Sequence, residues 1–186
     1  WIATPVRKTH IVWHGTGQRT SNTSTAGIDP VANMIDNWNY DGEKYAMPYV
    51  ISRSGAVYET FPDDHWAYHV SALKSNGFNG KRAIGIEMAN ELGLLKVNDK
   101  YFAFGSTHHQ NEYLGPVYEC DFRGYKYWAD FAEPQIDALL KLTLELCAKH
   151  NIEPIYYPYR IYDPGVWDKV TILRHCNVFE KGLDFP

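Results

Sequence analysis

The sequence predicts an α/β fold, a single domain whose central mixed β-sheet is flanked by α-helices. Three observations carry this expectation. Strand-like and helix-like segments alternate along the chain. Its 186 residues are enough to bury one sizeable core. Hydrophobic residues make up 45% and the net charge is −4, which disfavours disordered chains and polyanion binders, so no nucleic-acid partner is expected. No apolar run approaches the roughly 20 residues of a membrane span.

The first strand reads over residues 9–14, with Ile11 and Trp13 on one face and His10, Val12 and His14 on the other. Gly15-Thr16-Gly17 ends it and a polar loop follows to Gly27. Asp29-Pro30 then opens a helix, Asp as N-cap and Pro at the first helical position, with Val31, Met34, Ile35 and Trp38 as its apolar face. Residues 49–58 form a hairpin around Ser54-Gly55. The loop Asp63–His69 is dense in polar and aromatic groups; it reads equally as a packed surface loop and as the wall of a substrate groove.

Ala83–Met88 is a short buried strand with Ile84, Ile86 and Met88 on one face and Gly85 and Glu87 on the other. A carboxylate in so apolar a strand must find a structural cation, such as Arg82, or belong to a site. Residues 91–130 show no clear period and read as an insertion of irregular structure or short strands; its pair His108-His109 reads as exposed. Pro134–His150 is the clearest helix, with Ile136, Leu139, Leu140, Thr143, Leu144 and Cys147 at helical spacing. A last apolar run, Val170–Leu173, delivers His175 to a strand end, with Lys181 and Asp184 close behind.

Three cysteines without a C-x-x-C pattern indicate neither a disulfide framework nor a structural zinc knuckle. No signal peptide and no initiator Met precede Trp1, which reads as a processed or trimmed chain. Fourteen Tyr and six Trp supply flat surfaces for stacking sugars, although packing accounts for most of them.

Five stretches taken in order resemble the zinc-dependent N-acetylmuramoyl-L-alanine amidases, the family that includes phage amidase lysozymes and peptidoglycan recognition proteins. They are Ile11–Thr16, the hairpin Tyr49–Tyr58, the loop Trp66–His69, the strand Ile84–Glu87, and Glu133-Pro-Gln135 followed later by His175, Lys181 and Asp184. The resemblance implies zinc held by His14, His175 and Asp184, with Glu87 as proton shuttle and Lys181 as oxyanion stabiliser. Trp66 and His69 would bind substrate. The bond cut would be the amide between N-acetylmuramic acid and L-Ala, with peptidoglycan or a muropeptide as the partner. The setting would be secreted, periplasmic, at the cell wall or phage-lytic.

The chain also departs from the family pattern. Met47 stands where phage-type members place a catalytic Tyr. Arg174 replaces a frequent Gly, and the Lys181-to-Asp184 spacing is one residue longer than usual. Members without a full ligand set bind peptidoglycan without cutting it, so a silent peptidoglycan-binding module is the alternative reading.

Overall fold

The computed structural model describes residues 2–17, 31–32, 34–35, 45–70, 78–103 and 112–182. Its first sheet has the order β10-β1-β4-β2-β3, where β1 is His10–Gly15, β2 Tyr49–Ile51, β3 Val57–Glu59, β4 Ala83–Met88 and β10 Ile172–Arg174. The pairings β10–β1, β1–β4 and β4–β2 are parallel, whereas the β2–β3 hairpin is antiparallel, so the sheet is mixed as expected. All six residues of β4 are buried, which explains an almost continuous apolar run.

The long helix Glu133–His150 covers one face of this sheet. Leu139, Leu142 and Leu146 pack there on Ile11, Ile84, Ile86 and Met88. Each fully buried Leu contributes roughly 1.5–3 kcal/mol. Two residues expected on this apolar face, Leu140 and Leu144, are instead 48% and 59% exposed. The rotation that hides Leu142 and Leu146 also buries Gln135, whose Nε2 donates to the carbonyls of Ile51 and Ala89, both at 3.0 Å. These carbonyls lie at the ends of β2 and β4 and need a donor once water is excluded. The helix ends as Asn151 enters the left-handed region at φ 53°. On the opposite face Val31 and Met34, in helical conformation, pack on Val50 and Ala89.

The stretch 91–130, expected to hold irregular structure or short strands, carries short strands joined in an antiparallel sheet of order β7-β6-β5-β9-β8. Its strands are β5 Gly93–Val97, β6 Lys100–Ala103, β7 Glu112–Tyr113, β8 Val117–Phe122 and β9 Tyr125–Ala129. Alternation was illegible because large residues are buried on both faces: Leu94 and Tyr113 on one, Trp128 against Phe122 and Tyr125 on the other. A register shift between Glu119 and Phe122 blurs the period further. Three contacts tie this sheet's ends to the first one. Asn90 Nδ2 donates to the Asp130 carbonyl (3.2 Å), and Arg53 joins that carbonyl (2.8 Å) and the buried Glu91 (3.6 Å). Among the described residues, no helix is long and apolar enough to cross a membrane.

Candidate active site

In an open sheet of parallel strands, ligands bind beyond the carboxyl ends. Here β1 sits between β10 and β4, and its end carries His14. Trp13 is in register with Arg174, so the next residue of β10's chain, His175, comes beside His14. The two rings lie 4.6 Å apart at 44°. On the other side, His14 is in register with Glu87 of β4. Registered residues of neighbouring parallel strands project from the same face about 4.8 Å apart. The first sheet therefore brings two imidazoles and a carboxylate together from three distant sequence segments. His14 and Glu87 are only 1% and 4% exposed, so charge changes here act in a medium that screens poorly.

Gly85 precedes Glu87 on this face, and its missing side chain is what gives the site depth. A Cβ at Gly85 would fall 2.9 Å from His69 Nδ1 and 2.9 Å from Met47 Cγ. Both side chains therefore sit over the glycine, beside His14 and Glu87. His69 Nδ1 lies 3.0 Å from His14 Nε2 in a buried hydrogen bond. Burial first, and then the nearby His14, Lys8 and His175, hold His69 well below the usual histidine range, so its ring is neutral at neutral pH. Met47, at the position of the family's tyrosine, offers no hydroxyl to this cluster.

The remaining expected residues are placed as follows. Trp66 is buried, with the Lys81 ammonium 4.4 Å above its ring, and supports the loop from beneath. Lys181 is exposed, on the turn after the short helix His175–Val178. The neighbouring Gly182 packs against that helix's start, where a Cβ would lie 3.0 Å from the His175 carbonyl. Asp184 and the pair His108-His109 fall outside the described residues. Arg82 sits at the opposite end of β4 from Glu87, about 16 Å away at 3.3 Å per residue, too far for an ion pair. Cys176 is fully buried, in the short helix that His175 begins.

The contact between His69 and His14 was invisible in linear spacing, since 55 residues separate them. The one clue was the glycine two residues before Glu87. Chemically, two imidazoles at one strand end suit a metal of intermediate softness such as zinc, which takes nitrogen and carboxylate donors. Among the described residues, no three His, Cys, Asp or Glu side chains converge as a complete metal-holding group.

A mixed sheet with paired histidines and a buried glutamate at its carboxyl edge is a frame suited to hydrolytic chemistry. Residues 4–182 match the family Amidase_2, N-acetylmuramoyl-L-alanine amidase, and the chain belongs to that family. Among solved structures it is similar to the N-acetylmuramyl-L-alanine amidase AmiD from E. coli, in complex with anhydro-N-acetylmuramic acid-L-Ala-D-γ-Glu-L-Lys. The TM-score is 0.55 and the identity 17%, over 95% of this chain and 51% of that one. The chain thus spans about half the length of AmiD. It also aligns with the N-acetylmuramoyl-L-alanine amidase LysC from Clostridium intestinale, with a TM-score of 0.47 and 16% identity, covering 97% of this chain and 80% of LysC. No curated protein matches it at the sequence level. At 17% identity the likeness to AmiD establishes the fold alone.

Proposed function

We propose that this chain is a zinc-dependent hydrolase of the amide between the lactyl group of N-acetylmuramic acid and the L-Ala of peptidoglycan, acting at the cell wall. The observation that carries the reading is the row His175–His14–Glu87 at the carboxyl ends of three adjacent parallel strands. His14 and His175 would hold the metal together with Asp184. When bound, zinc polarises the scissile carbonyl and acidifies the attacking water.

The chain's own groups supply the rest. Glu87 takes the water's proton and hands it to the departing L-Ala amine. Lys181 places a fixed positive charge for the oxyanion. The loop ending in His69 walls the site, and Trp66 holds that loop in place.

Metal analysis of the purified chain and mass spectrometry of digested sacculi test this reading together. The expected result is one zinc per chain and new L-Ala amino termini without new reducing sugar ends. His14→Ala should lose zinc and turnover together, because two donors rarely hold a catalytic zinc. New reducing ends, or a His14→Ala protein with full zinc and normal turnover, would overturn the assignment. A zinc-free wild type that binds sacculi without cutting them would identify a recognition module.

A further inference from the structure

We propose that residues 158–162 form a glycan-binding shelf, on which Tyr159, Ile161 and Tyr162 hold the sugar strand of the substrate beside the candidate site. The inference rests on the peptidoglycan reading above and names the surface that takes the acyl half of the substrate. It begins from an anomaly of burial. Tyr159, Ile161 and Tyr162 are 63%, 57% and 42% exposed, in a stretch whose only charged side chain is Arg160. Apolar and aromatic side chains gathered on the surface mark a binding face.

The backbone beneath these side chains is fixed, and it is fixed to the site. Tyr156 pairs in parallel with Ile172 of β10, and Tyr157 N donates to the Ile172 carbonyl at 3.1 Å. The chain therefore runs on from Tyr157 past the carboxyl end of β10, where His175 stands. Arg174, just before His175, donates through Nη2 to the Pro158 carbonyl at 3.0 Å. Asn177, two residues after His175, is fully buried and donates through Nδ2 to the carbonyls of Tyr159 (2.7 Å) and Ile161 (3.0 Å). Its own carbonyl accepts from Asp163 N at 3.1 Å. The Tyr159 ring meets the buried Tyr157 ring edge-on at 5.4 Å. A loop held this way presents its side chains already ordered, so a ligand that stacks on them avoids most of the ordering cost.

The occupant follows from the direction of the row of site residues. In the proposed reaction Glu87 hands a proton to the departing L-Ala amine, which sets the stem peptide on the β4 side. The lactyl group and its sugar then extend the other way, across His14 and His175 toward the edge strand β10, where the shelf lies. Its chemistry suits a pyranose ring: phenol faces for the C–H side and hydroxyls for the polar rim. The flanking charges are engaged. Arg160 Nη1 donates to Cys120 Sγ of β8 at 2.8 Å, and Asp163 accepts from Lys169 Nζ at 2.7 Å and Tyr157 Oη at 3.1 Å. Such a face favours an uncharged sugar over the carboxylates of a stem peptide.

NMR titration with the tetrasaccharide of N-acetylglucosamine, a neutral sugar chain without peptide, tests the shelf apart from catalysis. The wild type should bind it saturably. Tyr159→Ala/Tyr162→Ala should bind roughly 10-fold more weakly, the loss of two ring contacts. On soluble glycan strands bearing stem peptides, kcat/KM of that variant should fall by a similar factor, through KM rather than kcat. Tyr159→Phe/Tyr162→Phe keeps both ring faces and should bind like wild type, with melting temperatures checking that each variant is folded. The proposal is overturned if the wild type shows no saturable binding, if the double-alanine variant binds as tightly as wild type, or if the double-phenylalanine variant loses binding. Competition by the free peptide L-Ala-D-γ-Glu-L-Lys for the same tyrosines would also overturn it, by making the shelf a peptide subsite. A wild type without zinc or turnover that binds the sugar through Tyr159 and Tyr162 would instead refute the zinc reading and leave the shelf standing.

Discussion

Glu87 is the residue to which the proposed function assigns the proton transfer, and the alternative is a structural carboxylate. Arg82, the cation nearest in sequence, is about 16 Å away along β4. What flanks Glu87 across the sheet is His14 on one side and Val50 on the other. Alternation along β4 was enough to assign Glu87 to the glycine-bearing face, because strand geometry is local. Its pairing with His14 required the parallel register, which no local pattern encodes. Glu87→Gln keeps the shape but cannot accept a proton. Turnover should fall by roughly 10²–10⁴-fold while zinc content and melting temperature stay close to wild type. Assays per folded, zinc-loaded molecule decide this, and near-normal turnover would return Glu87 to a purely structural role.

The elements show where pattern reading succeeds and where tertiary context overrides it. The helix 134–150 was legible because its apolar spacing is long and regular, but the face it buries was not. Leu140 and Leu144 fit a helical stripe as well as Leu142 and Leu146 do. The choice between them follows from Gln135, a polar residue that is 0% exposed because it satisfies two strand-end carbonyls. Replacing it with Leu keeps the volume and leaves both carbonyls without that donor. Gln135→Leu should cost roughly 2–4 kcal/mol in chemical denaturation, since each buried unsatisfied polar group costs about 1–3 kcal/mol. Leu140→Gln, on the exposed face, should be close to neutral. Comparable losses in the two variants would show that the helix is not fixed by Gln135. The second sheet failed the same pattern reading for a different reason: when both faces of a strand bury aromatics, period two carries no signal.

Across the whole molecule, the candidate site and the ion cluster whose stabilisation is lost in acid lie at opposite ends of the parallel strands. His14, Glu87 and His175 are at the carboxyl edge. At the other end Lys8, just before β1, donates to the carbonyls of His65 and Lys81, and Asp63 gathers three partners. Its carboxylate accepts from Tyr49 Oη and Lys149 Nζ, both at 2.8 Å, and faces His150 Nε2 at 3.1 Å. These contacts tie the 62–69 loop to β2 and to the last turn of the long helix. Burial alone would raise the Asp63 pKa, but Lys149, Tyr49 and His150 outweigh it and hold the carboxyl below its ordinary value. A carboxyl with a lowered folded pKa stabilises the fold fully above its unfolded pKa of about 3.9. That contribution disappears as pH falls through the folded value. Asp63→Asn should therefore lower stability at pH 7 by roughly 3 kcal/mol, the cost of breaking a buried charge cluster on one side. It should also flatten the fall in stability below about pH 4, because the titrating group is gone. Turnover per folded molecule at pH 7 should stay near wild type. Urea unfolding at pH 7, 5 and 3 decides the matter: an acid transition as steep in Asp63→Asn as in wild type would assign the pH dependence to other carboxylates.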